Sequence, residues 1–188
     1  MSRIGRMPIA IPKGVEVRAD KESVKIKGPK GDLANRIPPG ISVAVDGGEV
    51  RIMRSNDEPQ QRAYHGLLRS LLANAVMGVT KGFTRELEIV GVGYKAELKG
   101  KTVLFSLGYS HPIEFPLPEG IEAKAERLTT KGSIQQYQTT LTVSGIDRQK
   151  LGQVCAEMHK LRKPDAYKGK GVRYADAQLK LKPGKTGK

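Results

Sequence analysis

The chain has 188 residues, 38% of them hydrophobic, and a formal net charge of +14. That length suits one ordinary domain or two small ones, and the composition supports compact cores rather than disorder. No apolar run approaches the ~20 residues of a membrane-spanning helix, no signal-peptide core follows the first Met, and the single cysteine, Cys155, excludes an internal disulfide framework and fits a reducing, cytoplasmic setting.

The N-terminal arm carries Arg3 and Arg6 and leads to Ile11-Pro12-Lys13-Gly14-Val15, a Pro-x-Gly turn opening into a strand. Strand-rich stretches follow at 15–27 and 32–37. The same turn recurs at Ile37-Pro38-Pro39-Gly40-Ile41, followed by Ile41–Asp46 and Val50–Arg54, which alternate as a hairpin around Gly47-Gly48. A helix is expected from Pro59 to Met77, capped by Asp57 or Asn56, with Ala63, Leu67, Leu68, Leu71, Leu72 and Ala75 as its apolar stripe. Gly78 to Gly82 ends it and marks a boundary.

The second half repeats this order. Strand-rich segments at 83–98 and 102–115 lead to a third turn, Leu117-Pro118-Glu119-Gly120-Ile121. Strands follow at Ile121–Glu126 and Gln138–Ser144, then a helix from Asp147 to Leu161 whose buried face holds Leu151, Val154, Cys155, Met158 and Leu161. Turn, strand, strand and helix thus recur about eighty residues apart, as a duplication would produce. The expected fold is α+β: two small repeats, 1–81 and 82–162, each a mostly antiparallel sheet packed on one helix, and a basic tail, 163–188.

The charge is uneven. Residues 1–36 hold nine Lys/Arg and four Asp/Glu, the next 123 residues are nearly balanced, and residues 160–188 hold ten Lys/Arg against Asp165 and Asp176. A near-neutral body with basic ends fits nucleic acid, and the Gly- and Pro-studded tail has no apolar face for a bilayer. Within it, Lys168-Gly169-Lys170-Gly171 alternates cations with residues lacking side chains, which lets backbone N–H groups approach phosphates. Tyr167 and Tyr174 flank this run. With few aromatic residues and no basic recognition helix, readout of folded RNA by shape and phosphate position fits better than base stacking.

Catalytic patterns are absent. Gly91-Val92-Gly93-Tyr94-Lys95-Ala96 satisfies a dinucleotide-binding spacing, but the residues after it read as strand, turn and strand where that chemistry needs a helix. Gly100-Lys101-Thr102 lacks the upstream glycine of a phosphate-binding loop. Cys155 and His159 lie one helical turn apart, and two ligands do not make a metal site.

Pro164-Asp165-Ala166-Tyr167-Lys168-Gly169-Lys170-Gly171-Val172 closely resembles the C-terminal signature of the L6 family of large-subunit ribosomal proteins. Ser2 to Ile9, Gly28-Pro29-Lys30-Gly31 and Gly91 to Ala96 are similar to further segments of the same family, so the resemblance spans nearly the whole chain and is bacterial in type. It implies a duplicated fold, no enzymatic activity and no cofactor. It also implies direct binding of 23S rRNA near the sarcin–ricin loop and the stalk base, among neighbouring ribosomal proteins and close to where translation GTPases dock. Carried over by position, the expected RNA contacts are Lys163, Tyr167, Lys168, Gly169, Lys170, Gly171, Arg173 and Tyr174, with Lys95 from the loop motif. Lys180, Lys182 and Lys185 follow from charge alone. Ala166 departs from the family's usual proline, which restores an N–H to the turn. Deleting 163–188 is expected to release the protein from large subunits.

Overall fold

The structure is a computed structural model that describes residues 4–128 and 138–185; Arg3 lies outside the described residues. The chain divides into two compact units, Met1–Phe83 with Ile146–Arg148, and Thr84–Gly145 with Gln149–Lys188.

The first unit contains β1 (Ile9–Ala10), β2 (Glu16–Ala19), β3 (Ser23–Gly28), β4 (Gly31–Arg36), β5 (Ile41–Asp46), β6 (Glu49–Arg54) and α1 (Pro59–Thr80). Its strands form two three-stranded sheets, ordered β1-β6-β5 and β2-β3-β4. Pairing is antiparallel, with Val24 opposite Asn35 and Val43 opposite Ile52. Alternation along β3 and β6 turns Val24, Ile26, Val50 and Ile52 inward, where they meet Leu68, Leu72 and Val79 of α1. Full burial of each such side chain contributes roughly 1.5–3 kcal/mol.

α1 begins with Pro59 in its first turn, where the missing N–H costs nothing. Neither expected cap forms at the helix start: Glu58 is the N-cap residue and makes no side-chain cap bond. Asp57 is engaged instead by the Arg54 guanidinium, which lowers its carboxyl below the usual range, while Asn56 accepts the Glu58 N–H at 3.3 Å. The buried stripe is also rotated from expectation. Ala63 and Leu67 face outward, and His65 is buried. Its Nε2 lies 2.9 Å from the Ile52 carbonyl and its Nδ1 3.2 Å from an Arg54 nitrogen. A carbonyl only accepts and a guanidinium only donates, so Nε2 carries the proton and the buried ring is satisfied on both sides.

The second unit is built from β7 (Phe83–Val90), β8 (Lys95–Lys99), β9 (Thr102–Ser106), β10 (Ile113–Pro116), β11 (Ile121–Leu128), β12 (Gln138–Gly145), α2 (Arg148–Leu161) and β13 (Gly171–Tyr174). Its sheets are ordered β11-β12-β7-β13 and β10-β9-β8. Strand for strand, β7-β12-β11 repeats β1-β6-β5 and β8-β9-β10 repeats β2-β3-β4. The three Pro-x-Gly turns close alike: Val15, Ile41 and Ile121 N–H groups donate to the Pro12, Pro38 and Pro118 carbonyls at 3.2, 3.3 and 3.2 Å. Gly14, Gly40 and Gly120 sit at φ +86°, +75° and +81°, where a side chain is disfavoured.

β13 has no counterpart among the described residues of the first unit. It lies on the free edge of β7, with Gly171 opposite Val90 and Tyr174 opposite Leu87. Four residues of the basic tail, Gly171–Tyr174, are therefore a strand of this sheet, and Val172 is completely buried.

Cys155 is also completely buried on the inner face of α2. Burial pushes its thiol up to about 11, against the opposing pull of the Arg85 charge. The unfolded thiol, at 9.0, loses its proton first as pH rises, so the stabilisation is intact below about 9 and is lost on the way to 11. Thiol labelling of the native protein at pH 8 is expected to proceed only through opening of this unit. Labelling at the rate of the urea-unfolded chain would refute the buried placement.

Candidate nucleic-acid interface

Most of the expected contact residues lie on a loop between α2 and β13 or on the segment that returns over it. The neck is closed by the Val172 N–H, which donates to the Arg162 carbonyl at 2.8 Å. Inside it, the Asp165 N–H donates to the Lys170 carbonyl and the Gly169 N–H to the Asp165 carbonyl, both at 2.9 Å. The Asp165 carboxylate accepts the Lys168 N–H at 2.9 Å and the Tyr167 N–H at 3.3 Å. These amides, Lys168 foremost, hold the carboxyl below its usual range, and the Ala166 N–H adds to them.

Residues 179–182 fold back across this loop. The Lys182 N–H donates to the Ala166 carbonyl at 2.8 Å, and Leu179 and Leu181 lie over Gly169, within ordinary contact of the position a side chain would start from. Leucine and lysine alternate here, so with the leucines laid on the loop Lys180 and Lys182 remain outside. Lys163, Tyr167, Lys168, Lys180, Lys182 and Lys185 are exposed, and Lys170 is half-buried. Among the described residues these lysines make no ion pair, and the single acid inside the loop, Asp165, is turned onto backbone amides. Exposed lysines outside any ion pair among the described residues, held on a hydrogen-bonded backbone, have the chemistry that suits phosphates.

Four expected residues are built into the support. Gly171 is buried at φ +145°, and a side-chain carbon there would lie 2.7 and 2.8 Å from the Lys163 and Arg162 carbonyl oxygens. Gly169 is buried beneath the two leucines. Arg173 donates from Nε to Glu88 at 2.8 Å, and its Nη2 lies 2.7 Å from the same carboxylate oxygen. Tyr174 stacks on His159, with centroids 5.4 Å apart, while Arg85 sits 5.4 Å over the ring. Partial burial raises its phenol above the usual value. Lys95 stands apart from the loop on β8, exposed and paired with Glu97 at 3.0 Å.

Residues outside the expected contact set complete the neck. Arg162 lies 5.4 Å from the ring centroid of Tyr94 and 5.0 Å from that of Tyr109. The Tyr109 hydroxyl donates to the Leu161 carbonyl at 3.0 Å. The glycines flanking this arrangement leave room for the Tyr94 ring, because a side chain on Gly91 or Gly108 would come within 2.7 or 2.9 Å of it. The dinucleotide-like spacing thus serves a tyrosine seat. Among the described residues no three His, Cys, Asp or Glu side chains gather as a metal site, and no helix is long and apolar enough to cross a membrane.

A duplicated α+β body with an exposed, hydrogen-bonded basic loop has the chemistry of a structural protein suited to a polyanion. A family model described as ribosomal protein L6 matches residues 11–82 and 90–175. The chain is 57% identical to a protein named large ribosomal subunit protein uL6 from Koribacter versatilis, over 188 residues covering 100% of this chain and 99% of the relative. It is 53% identical to the protein of that name from Acidobacterium capsulatum and 50% identical to that from Thermodesulfovibrio yellowstonii, each across 100% of this chain and 99% of the relative. The chain belongs to the ribosomal protein L6 family and is a structural, non-enzymatic component.

Proposed function

We propose that this protein is a structural constituent of the large ribosomal subunit that binds 23S rRNA directly. Its site is near the sarcin–ricin loop and the stalk base, where it supports the region in which translation GTPases dock beside neighbouring ribosomal proteins. The observation that carries the reading is the ordered loop at 163–170, with lysines that make no ion pair among the described residues, in a chain whose relatives are named large-subunit proteins. In this reading 1–81 and 82–162 are the two repeats of a cytoplasmic ribosomal protein, and 163–188 is its RNA-binding end. Lys163, Tyr167, Lys168, Lys170, Lys180, Lys182 and Lys185 meet the RNA. Gly169, Gly171, Arg173 and Tyr174 shape the surface that does so, and Lys95 is an outlying contact.

Chemical footprinting of 23S rRNA with and without the full-length protein tests the location. Protection is expected in the sarcin–ricin and stalk-base helices. Protection confined to other regions would overturn the location, and no protection at all would overturn direct binding.

A further inference from the structure

We infer that Arg162 is a positioning residue: clamped between Tyr94 and Tyr109, it fixes the neck of the basic loop and so sets the spacing at which the lysines meet phosphates. This deepens the rRNA-binding reading and rests on it. Arg162 joins both structures at one residue. Its side chain contacts two rings, and its carbonyl accepts the Val172 N–H and borders Gly171. The residue before it is tied to the Tyr109 hydroxyl, and the residue after it is Lys163, the first cation of the loop.

The clamp is cationic for a physical reason. A guanidinium stacks flat on aromatic faces, which an aliphatic side chain of similar length cannot do. Among the described residues no carboxylate pairs with Arg162, so the site adds no negative charge where phosphates would approach. Two segments more than fifty residues upstream, at 91–94 and 107–109, thereby hold the start of the loop. Ordering a loop before binding removes an entropic cost from association.

The test uses the full-length protein and two variants, Arg162→Ala and Tyr109→Leu. Tyr109 is 48% exposed, so its replacement removes one ring without opening the core. Amide exchange in the free protein should speed up at Lys168, Gly169 and Val172. The expected change is roughly five- to thirtyfold for Arg162→Ala and two- to fivefold for Tyr109→Leu, with Cys155 and Met158 in α2 unchanged. Affinity for a 23S rRNA fragment should fall by similar factors in each variant.

Unchanged loop exchange in both variants would overturn the clamp whatever the RNA does. Weaker RNA binding by Arg162→Ala with Tyr109→Leu at the original affinity would also overturn it, because Arg162 would then be a direct phosphate contact. If exchange changes as expected while the unaltered protein binds the fragment without salt dependence, the clamp stands and the rRNA reading fails.

Discussion

Gly171→Ala is expected to destabilise the second unit by about 2–4 kcal/mol, and labelling of Cys155 under native conditions is expected to report it as about thirty- to a thousandfold faster modification. Two costs combine. The backbone at φ +145° is one that side chains rarely adopt, and the new carbon would fall within 3.0 Å of backbone oxygens of Arg162 and Lys163. Neither is a flexible side chain that could swing away. Relief would require β13 to shift off β7 or the loop neck to open, and Val172 is fully buried in that strand. Cys155 is a suitable reporter because it is the only cysteine and is buried in the same unit. A local probe is preferable to a global melt, since a chain of two units need not unfold in one step. Gly152→Ala is the control of opposite sign. Gly152 lies in α2 with nothing within 4 Å of the added carbon, so the substitution should slow labelling a few-fold by favouring the helix. Equal labelling rates for Gly171→Ala and the unaltered chain would show that the close approach at the neck does not constrain the fold.

The same neck shows where sequence reasoning reached and where it stopped. Local chemistry was readable: the Pro-x-Gly turns, the first helix from Pro59 and the repeated order of elements depend on residues within a few positions of one another. The inner face of α1 was less so. His65 looks polar and Leu67 apolar, yet the histidine goes inside because Ile52 and Arg54, on a strand, satisfy both of its nitrogens. Asp57 had the right spacing for a cap but lies closer to a stronger partner, Arg54. In the tail, charge concealed structure. Gly171-Val172-Arg173-Tyr174 is too short and too basic to announce a strand, and its partner, β7, lies more than eighty residues upstream. The motif at 91–96 was recognisable by residue type, but its use as the seat of Tyr94 depends on Arg162, nearly seventy residues later. The candidate site was therefore legible as composition, whereas its geometry came from partners distant in the chain.

That geometry decides how the RNA-binding end should be tested. Deleting residues 163–188 removes β13 and buried Val172 together with the lysines, so weaker binding would mix unfolding with lost charge. Replacing Lys163, Lys168, Lys180 and Lys182 by glutamine removes four exposed cations that make no ion pair among the described residues, and it leaves the loop's backbone bonds in place. If each meets one phosphate, the slope of log affinity against log salt should become shallower by about 3–4, and affinity near 0.15 M salt should fall about a thousandfold. The loss itself should depend on salt. Counterion release makes the difference between variant and original largest at low salt, on the order of ten-thousandfold at 0.05 M, and nearly absent towards 1 M. A structural lesion behaves otherwise, because a misfolded loop would lose a similar factor at every salt concentration and would speed the labelling of Cys155. A salt-dependent loss with unchanged labelling would identify the lysines as phosphate contacts. A variant that keeps the original slope would mean that the basic loop is only a solvated surface and that RNA contact, if made, lies elsewhere on the protein.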